Sequence, residues 1–254
     1  MLSVRGLAKS FGANKAVDNL SFDLLEGEML ALIGPNGAGK STTFNMVNGQ
    51  LKPDKGTIVV DDQSLVGKSA KKIWRLGISR TFQIAEIFQT FTLAENVQLA
   101  LLSSDSKLFS FWSRANQYRR EDAVLLLKMV GLGDQSDKAC STLAYSDAKR
   151  LELAVALANQ PKILLMDEPT AGMAPGERKN LMALVRDLVQ ERKRLHKTLL
   201  SVLFTEHSMD VVFGYADRII VMARGELIVQ GSAEVVKASS RVQDVYFGGG
   251  KTFK

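Results

Sequence analysis

The chain has 254 residues, 46% of them hydrophobic and 24% charged, with 33 Lys+Arg against 27 Asp+Glu for a formal net charge of +6. That balance excludes a disordered or fibrous chain and leaves ample apolar material for a core. The mild basic excess suits an anionic ligand, a nucleic acid or an anionic membrane face without choosing among them, and a single cysteine, Cys140, excludes an intrachain disulfide and points to a reducing compartment.

In chain order, residues 1–33 read as strands broken by turns at Gly12 and at the Glu26-Gly27-Glu28 corner. The first seven residues alternate like a short strand and lack the basic head and apolar run of a signal peptide. No stretch approaches the ~18 uninterrupted apolar residues of a spanning helix. The expectation is a soluble chain that reaches a membrane only through a partner. Residues 29–33 form an apolar run of buried-strand type that leads into a glycine-rich loop, and 43–48 are helical in character. Residues 53–62 read as turn then strand.

The texture changes between about 85 and 155, where strand-like runs vanish. Residues 93–102 and 119–130 have helical spacing, the second with Leu125, Leu126, Met129 and Val130 as its apolar side. The polar segment 103–117 reads as an insertion; its Phe109, Phe111 and Trp112 suit either local packing or contact with another subunit. Beyond 155, buried-strand runs at 163–166 and 199–204 flank an amphipathic helix at 177–194, with Leu181, Leu184, Val185 and Leu188 on one face. The basic cluster Arg192-Lys193-Arg194 with His196 and Lys197 suits a solvated helix end. Residues 219–222 and 227–229 predict a late hairpin. Strands alternating with helices imply an α/β fold with a mainly parallel sheet.

The strongest signal is Gly34-Pro35-Asn36-Gly37-Ala38-Gly39-Lys40-Ser41-Thr42, which satisfies G-x-x-x-x-G-K-[ST] between a strand and a helix. Glycines at these places let several N–H groups point at one phosphate. The following helix N-terminus adds its positive end. Lys40 supplies a point charge for the β- and γ-phosphates, and the Ser41 hydroxyl is placed to bind Mg²⁺. A second signal is Ile163-Leu164-Leu165-Met166-Asp167-Glu168, an apolar strand that delivers two acids to the ligand edge of the sheet. Asp167 is expected to hold Mg²⁺ and Glu168 to orient or deprotonate an attacking water.

With these two motifs on the page, the order of the rest resembles the ATP-binding subunit of ABC transporters over residues 1–235. The resemblance implies a P-loop ABC ATPase with an N-terminal antiparallel β subdomain and an inserted helical subdomain. Its parts would be a core with the phosphate loop at 1–84, a helical subdomain with the signature at 85–155, the core continued at 156–235, and a tail at 236–254. It implies that ATP and Mg²⁺ are the cofactors. Phe11, near Gly12, would stack on adenine, with a core strand residue as the alternative. Gln83, in Arg80-Thr81-Phe82-Gln83, would sense Mg²⁺ and the attacking water, and His207 would bond the γ-phosphate. Residues 77–83 and 91–97, with Tyr145-Ser146-Asp147-Ala148-Lys149-Arg150, are similar to the importer branch for branched-chain amino acids, whose relatives take amides or urea.

A member of that branch would pair with a second ATP-binding subunit under two membrane-spanning subunits fed by an extracytoplasmic binding protein. It would sit peripherally on the cytoplasmic face of the membrane and have no nucleic-acid partner. In the signature, which would reach the nucleotide of the partner through Leu143, Tyr145 and Ser146, the sequence departs from the family. Ala144 stands at the serine position, Ser146 at the second glycine and Ala148 at a glutamine. Ala174 stands where many members carry an aspartate. These departures fall on the face offered to a partner, so a heterodimer with one strong and one weak ATP site is expected. The competing expectation is a soluble ABC-type ATPase in DNA repair or translation; such chains carry paired ATP-binding halves or long coiled-coil inserts, which this sequence lacks.

Overall fold

In the computed structural model, the described residues are 1–81, 87–104, 118–195 and 198–247. Gln83, the aromatic insertion at 109–112, His196, Lys197 and the glycine-rich end from 248 lie outside them.

Two sheets form the frame. The N-terminal sheet is antiparallel, with order β2-β1-β4-β5, from β1 (Leu2–Phe11), β2 (Asn14–Leu24), β4 (Lys55–Val60) and β5 (Gln63–Ser64). The central sheet has order β10-β9-β3-β8-β7-β6. Its strands are β3 (Met29–Ile33), β6 (Ile78–Thr81), β7 (Ile163–Asp167), β8 (Ser201–Thr205), β9 (Arg218–Ala223) and β10 (Glu226–Gly231). All of its neighbours pair in parallel except the β9–β10 hairpin.

The unbroken apolar runs of β3, β7, β8 and β9 follow from burial on both faces. Leu30 and Leu32 point to a core shared with the N-terminal sheet, while Met29, Ala31 and Ile33 point to a core shared with the helices. The same split divides Leu165 from Leu164 and Met166, and Leu203 from Val202 and Phe204. Both faces of the central sheet are therefore locked, and its strand ends are fixed in register.

The helical lobe contains α3 (Leu93–Ser104), α4 (Arg120–Met129) and α5 (Tyr145–Leu157). A reciprocal cap starts α3: Thr92 N–H donates to the Glu95 carboxylate at 2.8 Å, and Glu95 N–H donates to Thr92 Oγ1 at 3.2 Å. On α4 the inward face differs from the expected one. Ala123, Leu127 and Val130 are buried, whereas Leu125 is 57% and Met129 38% exposed. Residues 123, 127 and 130 fall on one stripe at helical spacing, and 125 and 129 fall on the other side.

The remaining helices cover the sheet: α1 (Lys40–Val47), α2 (Ala70–Arg75), α6 (Pro175–Arg194), α7 (Met209–Tyr215), α8 (Ala233–Ala238) and α9 (Ser240–Phe247). Pro175 opens α6, and Arg192, Lys193 and Arg194 fill its last turn, where cations oppose the helix dipole. Residues 236–238 and 240–247 of the expected tail are helical. Val236 and Val242 enter the core, and burial pushes the Tyr246 hydroxyl well above its ordinary range, partly offset by the backbone of Gly34.

Candidate functional site

The phosphate loop leaves β3 and ends in α1. It is confined from outside. A Cβ on Gly34 would lie 2.2 Å from the Met222 carbonyl oxygen, and one on Gly39 would lie 2.3 Å from that of Ala16. Gly39 also sits at φ 101°, a conformation glycine adopts without penalty. Lys40 is 7% exposed and folds back over the loop, its Nζ donating to the carbonyls of Gly34 at 2.7 Å and Pro35 at 3.2 Å. Burial lowers the Lys40 pKa, and the carboxylates of Glu168 and Asp167 oppose that shift. The Lys40 amine is thus held by loop carbonyls in a partly desolvated place, within the field of two acids.

Those acids arrive as expected at the end of β7. Both Asp167 oxygens are engaged: the Thr205 hydroxyl donates to Oδ1 at 2.7 Å, and Arg80 donates to Oδ2 at 2.8 Å. Glu168 takes a left-handed backbone conformation at φ 49°, which strains a residue with a Cβ. It is held there by its N–H, which donates to Thr205 Oγ1 at 3.0 Å and to the Thr205 carbonyl at 3.2 Å. The turn aims the carboxylate at His207, whose Nε2 lies 2.8 Å from Glu168 Oε1. Since β8 lies beside β7, adjacent strand ends deliver the acid and the histidine together.

One cavity of about 370 Å³ is lined by Phe11, Asn36, Gly37, Gly39, Lys40, Ser41, Thr42 and Glu168, with Asn14 and Ala16. Phe11 is 52% exposed at its mouth, so the alternative of a core strand residue does not hold. Lys9 Nζ stands 5.8 Å from the Phe11 ring centroid. The signature residues do not line this cavity. Leu143 packs on the helix-side core, and Ala144 caps α5 without a side-chain hydrogen bond. The Tyr145 hydroxyl donates to the Ala171 carbonyl at 3.1 Å, and Ser146 stands in the first turn of α5. At Ala174 only half of a cap survives, its N–H donating to the Glu177 carboxylate at 3.1 Å.

Four contributors escape a sequence reading. Arg80 and Thr205 hold Asp167. Glu206, 3% exposed, accepts bonds from the Thr170 N–H at 2.9 Å and from the Thr170 hydroxyl at 2.5 Å, which ties the loop after Glu168 to the residue before His207. Thr205 and Thr170 end or follow apolar runs beside acids, and that position is the only signal they leave.

A divalent cation fits the donors present. The Ser41 hydroxyl and the Asp167 carboxylate are hard oxygen ligands of the kind Mg²⁺ takes in small number beside phosphate oxygens. Among the described residues no group of three or more His, Cys, Asp or Glu forms a metal cluster.

Comparisons with known proteins converge. Residues 17–171 match the ABC transporter family. The chain is 38% identical to the high-affinity branched-chain amino acid transport ATP-binding protein LivG of Escherichia coli K12, over 98% of both chains. It is 34% identical to BraF of Pseudomonas aeruginosa, a protein of the same description, again over 98% of both. Among solved structures, the ADP conformation of MJ1267, an ATP-binding cassette of an ABC transporter, superposes with a TM-score of 0.84 at 30% identity over 98% of both chains. The dimeric bacterial cassette MJ0796 superposes at 0.74 and 28% identity, over 91% of this chain and 98% of that one.

Proposed function

The chain belongs to the ABC transporter family as an ATP-binding cassette, and from that premise we propose that it hydrolyses MgATP to drive a membrane importer of branched-chain amino acids or a related amide or urea solute. The carrying observation is the meeting of Lys40, Asp167, Glu168 and His207 at one end of the central sheet. The reading as a soluble repair or translation ATPase is not favoured, because relatives matched over 98% of their length are described as transport subunits.

The chain's own residues divide the work. Loop N–H groups and the α1 N-terminus receive the phosphates, and Lys40 supplies charge at their outer end. Phe11 offers its exposed ring to the base, an interaction that tolerates any base. Glu168 orients a water and accepts its proton, while His207 holds that carboxylate in place. Gln83, which lies outside the described residues, is the family-implied candidate for the remaining water and metal contact. Ser41 and Asp167 would hold Mg²⁺, which would supply charge neutralisation at the phosphates.

A groove of about 320 Å³ lies between the central sheet and the helical lobe, lined by Trp74, Ile78, Arg80, Ala100, Glu152 and Val155 among others. It receives a cytoplasmic helix of a membrane-spanning subunit, which holds the chain at the cytoplasmic face of the membrane beneath a transporter fed by an extracytoplasmic binding protein. No helix among the described residues is long and apolar enough to cross a membrane itself. Ala144 and Ser146 make this chain's signature the weaker one, so its partner is a distinct ATP-binding subunit. Losing a hydrogen bond to a charged group costs about 1.5–3 kcal/mol.

Transport is tested with the assembled complex in liposomes. ATP-dependent uptake of leucine, isoleucine or valine is expected, and Glu168→Gln is expected to abolish it; ATP hydrolysis without uptake of any of these or of an amide would refute the solute class. The pairing is tested by light scattering of Glu168→Gln alone. A monomer with and without MgATP is expected, and an ATP-dependent homodimer would overturn the heterodimer.

A further inference from the structure

Arg80 is a largely covered charged side chain that the hydrolysis scheme above does not use. It stands on β6, the edge strand beside β7, and its guanidinium joins three parts of the site. One terminal nitrogen donates to Asn45 Oδ1 on α1 at 2.7 Å and to Gln50 Oε1 just beyond that helix at 3.0 Å. The other donates to Asp167 Oδ2 at 2.8 Å. The side chains of the pair are only 11% and 15% exposed. The guanidinium carbon lies 5.9 Å from the centroid of Phe44, also on α1.

A planar fork with donors in fixed directions can meet these three acceptors at once; an ammonium has no such fixed fork. Asp167 is consequently gripped from both sides, by Thr205 at one oxygen and Arg80 at the other. Each carboxylate oxygen keeps a further lone pair for another partner. The grip also ties the carboxylate to α1, the helix that begins with Lys40 and Ser41. Arg80 lines the groove as well, so it stands between that groove and Asp167.

We propose that Arg80 is a positioning residue of the metal site, fixing the Asp167 carboxylate relative to the phosphate loop so that the two bind one divalent cation together. The inference rests on the reading of Asp167 as the metal carboxylate. Its physical basis is that replacing a group that orients a metal ligand typically costs about 10- to 100-fold in metal affinity.

The test uses the full chain with ADP and Mn²⁺, free Mn²⁺ being followed by electron paramagnetic resonance. ADP affinity in EDTA is measured in parallel. Arg80→Met is expected to leave ADP affinity in EDTA unchanged and to weaken Mn²⁺ binding to the ADP complex by about tenfold. Arg80→Lys, which restores charge but not the fork, is expected to recover part of that loss, and it carries the test alone should the Met variant fail to fold. Unchanged Mn²⁺ affinity, or a parallel loss of ADP affinity in EDTA, overturns the proposal. Asp167→Asn separates the two levels: if it leaves Mn²⁺ affinity unchanged, the metal reading of Asp167 falls together with this one. If Asp167→Asn weakens binding and the Arg80 variants do not, only the role of Arg80 falls.

Discussion

Thr205→Val removes one hydroxyl at the centre of the site. Thr205 is fully buried; its hydroxyl donates to Asp167 at 2.7 Å and accepts from the Glu168 N–H at 3.0 Å. Valine keeps the shape and removes both contacts. The Glu168 N–H retains the Thr205 carbonyl at 3.2 Å, and Asp167 retains Arg80, so neither group is orphaned. The larger of the two losses is the bond to the charged Asp167 acceptor, about 2 kcal/mol. For a chain of this size that lowers the melting temperature by roughly 4–8 °C. Thr205→Ser keeps the hydroxyl and deletes one methyl, at about 1 kcal/mol. Differential scanning fluorimetry of the three proteins without nucleotide reads this directly. A valine variant that melts with the wild type, or a serine variant that melts at or below the valine variant, would refute the assignment of the Thr205 hydroxyl as the support of Asp167.

Three further outcomes follow from the same geometry. Phe11→Ala is expected to weaken ATP and GTP binding equally, by about 1–3 kcal/mol, because stacking does not distinguish the bases; calorimetry with both nucleotides checks it. The reverse repair Ala144→Ser with Ser146→Gly is expected to raise the ATPase rate of the assembled pair, and an unchanged rate would count against two unequal sites. Burial, reinforced by the charge of Glu95, raises the Cys140 thiol from 9.0 to about 11. The folded chain therefore resists iodoacetamide at pH 8 until urea is added. The unfolded thiol ionises first, so this group leaves stability unchanged below about pH 9 and erodes it as pH rises toward 11, which denaturant melts at pH 8 and pH 10 would reveal.

Much of this molecule is legible in its residues because the constraints are local. The phosphate loop needs glycine where Gly34 and Gly39 touch neighbouring carbonyls, so chemistry and close packing leave the same mark. The double-faced strands declare themselves as unbroken apolar runs ending in Asp167-Glu168. What is not local is not legible. The inward face of α4 depends on where α3 and α5 sit, and a helix with apolar residues on more than one side offers two stripes to choose from. Arg80 reads as part of a motif, yet its task depends on β6 lying beside β7, a neighbourhood formed across 82 to 162. Thr205 extends an apolar run by one residue, and its place before Glu206 is its only mark. The helices α8 and α9 are short, and their order comes from Val236 and Val242 entering a core built by distant strands.

The claim on which the rest depends is that Glu168 acts on the water after the phosphate loop has bound the nucleotide. It is tested by single-turnover release of γ-phosphate from the assembled transporter, with bound ATP measured in the same sample. For Glu168→Gln the expected result is full ATP binding with release slowed by about 10²- to 10⁴-fold. Release at the wild-type rate, or loss of ATP binding in step with release, would contradict it.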